Sequence, residues 1–290
     1  MWIDEIRERA KSYKKHIVLP EGADDRMKMA ADIITARDIA RITLLDNSNI
    51  NEETSLEPSL YLLRKAVKSL NNNEYDGLVA GAVNTTANVI ISSLKTVGVA
   101  NGCSVVSSFF LMEGTDLEMG NKGGFLFADC AVVPSPTAKK LADIAISTAL
   151  SAHMILGWEP KVALLSFSTK GSASGEMVLK VSDAVDLIRK KEKRFTFDGE
   201  LQFDSAVLPE IARNKDEHGL LKGEANVLIF PDLNSGNIAY KIAQRIGKMR
   251  AVGPILQGFK KPVNDLSRGC SAEDIVDVVS MTVLQAAFSE

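Results

Sequence analysis

Strand-like and helix-like runs alternate along this chain from one end to the other, and no other feature limits its fold so strongly. Trp2, Ile3, Ile6 and Ala10 recur at helical spacing. His16-Ile17-Val18-Leu19 is a short apolar run stopped by Pro20. Met27, Ala30, Ala31 and Ile34 then return to one helical face, and Ile42-Thr43-Leu44-Leu45 reads as a second strand. Further strands are expected near 77–82, 105–111, 125–128, 162–166, 227–230 and 251–256. Helices are expected near 60–70, 137–156, 176–191, 204–214, 237–246 and 272–288. Alternation of this kind predicts an α/β chain with a mainly parallel sheet and helices on its faces. There is no internal repeat, and the polar stretch 47–59 is the one linker-like region.

With 290 residues the chain suits one large or two modest domains, since a single core stops growing near ~250–300 residues. Its net charge of −3 argues against a general nucleic-acid binder, which needs a basic excess. Cys103, Cys130 and Cys270 are too far apart for a disulfide framework or a metal-ligand spacing, so reduced thiols are expected. The carboxylates show no metal-ligand spacing either, so no metal site is expected. Met1-Trp2-Ile3-Asp4-Glu5 lacks the basic and apolar regions of a signal peptide. No apolar run reaches bilayer length. The expectation is a soluble, cytoplasmic protein with no membrane partner.

Ligands of such sheets bind beyond the carboxyl ends of the strands. The loops to inspect are therefore 21–26, 83–88, 168–175, 231–237 and 257–271, which are rich in Gly, Ser, Thr, Asn and Arg. In Ser166-Phe167-Ser168-Thr169-Lys170-Gly171-Ser172-Ala173-Ser174-Gly175-Glu176, small residues expose backbone N–H groups and Lys170 adds a cation. That pattern suits a phosphate cradle, and equally a plain strand–helix turn with a helix cap. In Ser267-Arg268-Gly269-Cys270-Ser271-Ala272-Glu273-Asp274, Arg268 suits bidentate binding of phosphate or carboxylate. Ser271-x-x-Asp274 reads first as a capping box. Asp265 is placed to pair with Arg268, and Cys270 reads as a buried thiol because no histidine stands in a Cys–His pattern. Pro231-Asp232-Leu233-Asn234-Ser235-Gly236-Asn237 suits a cap for the helix that follows. His153 reads as a core residue, and Asp129 as a residue near the ligand end.

Taken together, the stretches LPEGADDR, FADCAVV, PKVALLSFSTKGSASGEM, DGELQFDSA, ANVLIFPDLNSGNIAYKIAQR and AVGPILQGFKKPVNDLSRGCSAEDIV resemble the phosphate acetyltransferases (phosphotransacetylases) of the phosphate acetyl/butyryltransferase family. DGELQFDSA and SFSTKGSA look closer to the acetyl than the butyryl branch. The resemblance implies two α/β domains around a cleft, in the isocitrate/isopropylmalate-dehydrogenase-like architecture. It places the first domain at 1–103 plus 265–290 and the second at 104–264. It implies a homodimer that transfers acetyl between acetyl phosphate and coenzyme A without metal or other cofactor, its small-molecule partners being coenzyme A, acetyl phosphate and phosphate. Ser267 and Arg268 match the family's active-site Ser-Arg pair, and Asp274 matches its general base for the thiol. The resemblance further implies substrate contacts from Arg64, Thr85, Thr86, Ser168, Thr169, Lys170, Gly171 and Asn264.

Two departures accompany it. The segment 71–76 is compressed where the family has a longer helical excursion. After the strand near 77–82 the family reads His-Ser/Thr-Ser/Thr and then Arg-Pro, whereas here Ile91 and Ser92 stand at the Arg and Pro positions. Butyryl transfer and a non-catalytic coenzyme A- or phosphate-binding relative are the alternatives to acetyl transfer. An oxidoreductase of the same architecture is disfavoured, since no dinucleotide fingerprint is visible.

Overall fold

The computed structural model of this chain describes residues 1–50 and 55–288, so residues 51–54 of the polar 47–59 stretch lie outside the described residues. In chain order the first elements are α1 (Trp2–Ala10), β1 (His16–Leu19), α2 (Asp25–Ala36), β2 (Arg41–Leu44), α3 (Pro58–Asn71), β3 (Gly77–Ala80) and α4 (Thr86–Thr96). Then come β4 (Ser107–Glu113), β5 (Gly124–Ala128), α5 (Ala138–Leu156), β6 (Lys161–Leu165), α6 (Glu176–Lys191) and β7 (Thr196–Leu201). The chain continues through α7 (Phe203–Val207), α8 (Pro209–Lys215), β8 (Val227–Ile229), α9 (Leu233–Arg245), β9 (Arg250–Gln257), β10 (Val263–Asp265) and α10 (Ala272–Phe288).

Two units result: Met1–Gly102 with Val252–Glu290, and Cys103–Ala251. The return crossing falls at Val252 rather than at 265. The reason is β10, which pairs in parallel with β3 (Val263 with Leu78, Asp265 with Ala80) and so belongs to the first unit. The first sheet is wholly parallel in the order β10-β3-β1-β2. Leu62, Leu63, Ala66, Val67 and Leu70 of α3 sit at helical spacing and bury against Val18, Leu78 and Ala80 of that sheet. Helices α2 and α4 start on side-chain caps: Asp24 accepts from Arg26 N at 2.8 Å, and Thr85 accepts from Asn88 N at 3.2 Å.

The second sheet is mixed, in the order β7-β6-β8-β5-β4-β9. Strands β5, β8, β6 and β7 are parallel, and β4 runs antiparallel to β5. Phe110, Phe125, Phe127, Leu165, Leu201, Leu228 and Phe230 form its apolar core. The helix expected over 204–214 is two short ones, α7 and α8, because Pro209 cannot continue the helix from Leu208.

Candidate active site

Parallel pairing brings the carboxyl ends of β1, β3 and β10 to one edge of the first sheet, so the loops 20–24, 81–85 and 266–271 emerge together. Three side chains lace these loops. The buried Glu21 carboxylate accepts from Gly81 N (2.9 Å), Ala82 N (2.8 Å), Asn84 N (2.7 Å) and Asn84 Nδ2 (2.9 Å). Arg26 donates to Asp24, to Ala82 O at 2.9 Å, to Arg268 O at 2.7 Å and to Cys270 O at 3.1 Å. Asp265 accepts the Thr86 hydroxyl at 2.6 Å. Gly81, at φ +113°, leaves no room for a Cβ, which would meet Asp265 Oδ1 and lie 2.6 Å from Leu266 N.

On this frame Ser267, Arg268 and Gly269 are exposed. The Arg268 carbonyl is held by Arg26, while its guanidinium has no partner among the described residues. Ser267 Oγ accepts from Gly269 N at 3.3 Å, which leaves its own proton available. Asp274 Oδ2 accepts from Ser271 N and Ser271 Oγ, both at 2.8 Å, and Ser271 Oγ accepts from Asp274 N at 3.2 Å. The capping box expected at Ser271 and Asp274 is therefore formed, and the other oxygen of the exposed Asp274 faces no donor among the described residues.

Several residues lie elsewhere than the sequence suggests. Asp265 does not pair with Arg268; it is buried against Thr86 and Gly81. Asn264 is fully buried, with Oδ1 accepting from Leu256 N at 2.7 Å and Nδ2 donating to Thr282 Oγ1 and Gln285 Oε1. Its amide joins β10 to β9 and α10 and faces no open space, so it supports the loop instead of meeting a ligand. Arg64 is exposed on α3 with no partner among the described residues, while Thr85 and Thr86 are exposed at the start of α4. Burial raises the Cys270 thiol to about 11, so it is a protonated thiol at neutral pH. His153 is exposed, not core, and its Nδ1 lies 3.2 Å from Trp158 O.

In the second unit, Ser168, Thr169, Lys170 and Gly171 leave β6 in a loop that is already closed on itself. The N–H groups of Ser168 to Ala173 bond in turn to Ser166 Oγ, Ser172 Oγ, Glu200 O, Glu200 Oε1, Thr169 O and Ser168 Oγ. Lys170 pairs with buried Asp198 of β7 and donates to Gly199 O at 3.1 Å. Ser168 and Ser182 hydroxyls complete the shell of Glu200, each at 3.0 Å. Burial pushes the Glu200 carboxyl up, but these donors outweigh it and hold it below its ordinary value. Of the two readings open for 166–176, a phosphate cradle or a plain strand–helix turn, the bonds of 168–173 describe a braced turn. Open N–H donors come just after it, at Gly175 to Met177, where α6 begins without a side-chain cap. Asp129 is buried as well, organising its own turn by accepting from Ala131, Val132 and Val133 N–H. Within the loop expected to cap α9, the capping residue is Asp232, which accepts from Ser235 N at 2.9 Å.

Glu21, Arg26 and Glu200 were not singled out from sequence. Glu21 follows a strand, Glu200 lies in one and Arg26 stands in the first turn of α2, and the partners that tie each to the site lie farther along the chain. For Glu21 and Glu200 the one local signal is a charged residue beside or inside a strand-forming run, where burial demands a partner.

Comparison with known proteins fits this frame. A family profile described as "Phosphate acetyl/butaryl transferase" matches residues 1–63 and 52–283. A phosphate acetyltransferase from Thermoanaerobacterium thermosaccharolyticum is 45% identical over 324 aligned positions, covering 98% of this chain and 99% of that protein. The alignment is longer than the 290 residues here, so that relative has segments with no counterpart in this chain. The crystal structure of a phosphotransacetylase from Streptococcus pyogenes superposes with a TM-score of 0.89 at 34% identity, over 99% of this chain and 98% of that one. A 4-hydroxythreonine-4-phosphate dehydrogenase from Klebsiella pneumoniae, at 10% identity and a TM-score of 0.56 over 94% and 100% of the two chains, shares the fold alone. Among the described residues no helix is long and apolar enough to cross a membrane.

Proposed function

Because this chain belongs to the phosphate acetyl/butaryl transferase family, we propose that it moves an acetyl group between coenzyme A and phosphate. The observation that carries the reading is Arg268: an exposed guanidinium without a partner among the described residues, on a backbone that Arg26 fixes in place. In the direction of thioester formation, the coenzyme A sulfur attacks the carbonyl of acetyl phosphate. A C–S bond forms, the C–O bond to phosphate breaks, and phosphate leaves with the electron pair. Arg268 stabilises the charge that develops on the carbonyl or departing phosphate oxygens, and Ser267 donates a hydrogen bond to the same centre. Asp274 takes the thiol proton through its unengaged oxygen, while its other oxygen caps α10. Thr85 and Arg64 offer a hydroxyl and a cation to the substrate phosphates from the same unit, while the Thr86 hydroxyl beside them donates to Asp265. In the second unit, Ser168, Thr169, Lys170 and Gly171 brace the turn ahead of α6. Phosphate is a good leaving group, and the reaction as written uses no metal.

The finer reading includes a cytoplasmic homodimer. Free Cys103, Cys130 and Cys270 support a reducing compartment. Exposed Ile238, Ile242 and Ile246, spaced along one side of α9 and just past its end, support a contact with a second copy. A non-catalytic relative is the second reading, and it rests on Ile91 standing exposed at the family's arginine position.

Mixing acetyl phosphate with coenzyme A and measuring thioester tests the proposal. Wild type is expected to form thioester in the presence of a chelator, and Arg268→Ala to lower turnover about 10²–10³-fold with the fold retained. No thioester from wild type at high enzyme concentration refutes acyl transfer, and near-normal turnover in the variant removes Arg268 from the mechanism.

A further inference from the structure

Asp265 joins two arms of the site that the mechanism treats as separate. It is the last residue of β10, two positions before Ser267, and it is 1% exposed. Its Oδ2 accepts the Thr86 hydroxyl at 2.6 Å, which fixes the first turn of α4 to the strand that carries the Ser267–Arg268 loop. Its Oδ1 is buried and has no hydrogen-bond partner, lying where a Cβ on Gly81 would stand. We propose that Asp265 is a positioning residue for acyl transfer, holding Thr86 and the Ser267–Arg268 loop in one geometry through the Thr86–Asp265 hydrogen bond. The inference rests on the acyl-transfer reading above.

The link is sensitive to protonation. Burial, and the charge of Glu21 in the loop after β1, raise the Asp265 carboxyl to about 7, against the Thr86 hydroxyl and the Leu266 N–H, which lower it. Glu21 is the charged group that acts on it; α4 presents the Thr86 hydroxyl, and β3 presents the Gly81 backbone. Above about pH 7 Asp265 is a carboxylate and the Thr86 bond is charge-assisted; below it the acceptor is neutral and the tie between α4 and the loop weakens.

The test follows thioester formation by wild type, Thr86→Ser, Thr86→Val and Asp265→Asn across about pH 5.5 to 9. Melting curves confirm folding, and Thr86 is exposed, so its valine variant leaves the core untouched. Wild type and Thr86→Ser are expected to gain kcat/KM as pH rises through about 7. Thr86→Val and Asp265→Asn are expected to lose that inflection and to fall about tenfold at the alkaline end. Independently of activity, the ¹³C carboxyl resonance that disappears in Asp265→Asn is expected to titrate near 7 in wild type. The inference is overturned if thioester forms and Thr86→Val keeps the wild-type profile and value, or if that resonance titrates at an ordinary aspartate pH. Absence of thioester from wild type is a different result: it defeats acyl transfer itself and takes the inference with it.

Discussion

At the scale of single residues, Asp265 has a consequence for stability as well as for catalysis. An unfolded aspartate releases its proton near ~3.9, whereas the folded carboxyl keeps it up to about 7. Between those values the folded state binds more protons than the unfolded one, so this group makes stability fall as pH rises through the window and keeps it low above. The gap of about three pH units corresponds to something on the order of 4 kcal/mol. Asp265→Asn removes the effect, so its melting temperature relative to wild type is expected to climb from about pH 4.5 to about pH 8. Paired melting curves check this, and a constant offset would contradict it. The same residue shows what a sequence conceals. Ser267 and Arg268 announce themselves, because an Arg beside Gly in a strand-end loop has few structural duties. Asp265 reads as their surface neighbour, because burial against Thr86 depends on a contact 179 residues away in the chain. Arg26 is hidden for the same reason, its partners Arg268 and Cys270 lying 242 and 244 residues distant.

At the scale of elements, legibility followed apolar periodicity. Helices α6 and α10 carry regular apolar stripes and are found where the stripes predict them. Strand β7 escaped notice because its alternation is broken by Asp198, Gly199 and Glu200, whose charges are buried by the Lys170 turn and not by water. Strand β10 escaped because two of its three residues, Asn264 and Asp265, are polar. The first turn of α10 combines a cap with a candidate base. Asn can keep both Ser271 bonds but cannot take a proton, so Asp274→Asn is expected to melt within a few degrees of wild type while kcat falls about 10²-fold or more and its pH dependence changes. Unchanged turnover with a lower melting temperature would leave Asp274 with the cap alone. On α4, Ile91 is 51% exposed. A charge-assisted bond contributes roughly 1.5–3 kcal/mol, so Ile91→Arg is expected to lower KM for coenzyme A or acetyl phosphate about tenfold or more. Titrating each substrate against both proteins decides, and equal KM values would mean that Arg64 or Lys95 already supplies the charge.

At the scale of the whole molecule, the first unit is closed by elements from opposite ends of the chain. Helix α10 packs on α1, α2 and β3. Arg7 of α1 donates to Asp277 Oδ1 from Nε at 2.7 Å and to Glu273 Oε2 from Nη2 at 2.8 Å. Asp277 is 1% exposed, so removing Arg7 takes away the cation that faces a buried carboxylate. Arg7→Ala is expected to cost about 3 kcal/mol, read as a lower urea midpoint, and a shift too small to measure would show that water or backbone replaces the guanidinium.

The second unit lies entirely within one uninterrupted stretch, Cys103–Ala251, between the two pieces of the first. A ribosome therefore finishes that stretch while β3 still lacks its β10 neighbour and presents a bare strand edge. Ser267 and Arg268 leave the exit tunnel only afterwards. A chain stalled or clipped before them holds the whole second unit, yet it leaves β3 without its parallel neighbour and lacks the loop on which Ser267 and Arg268 stand.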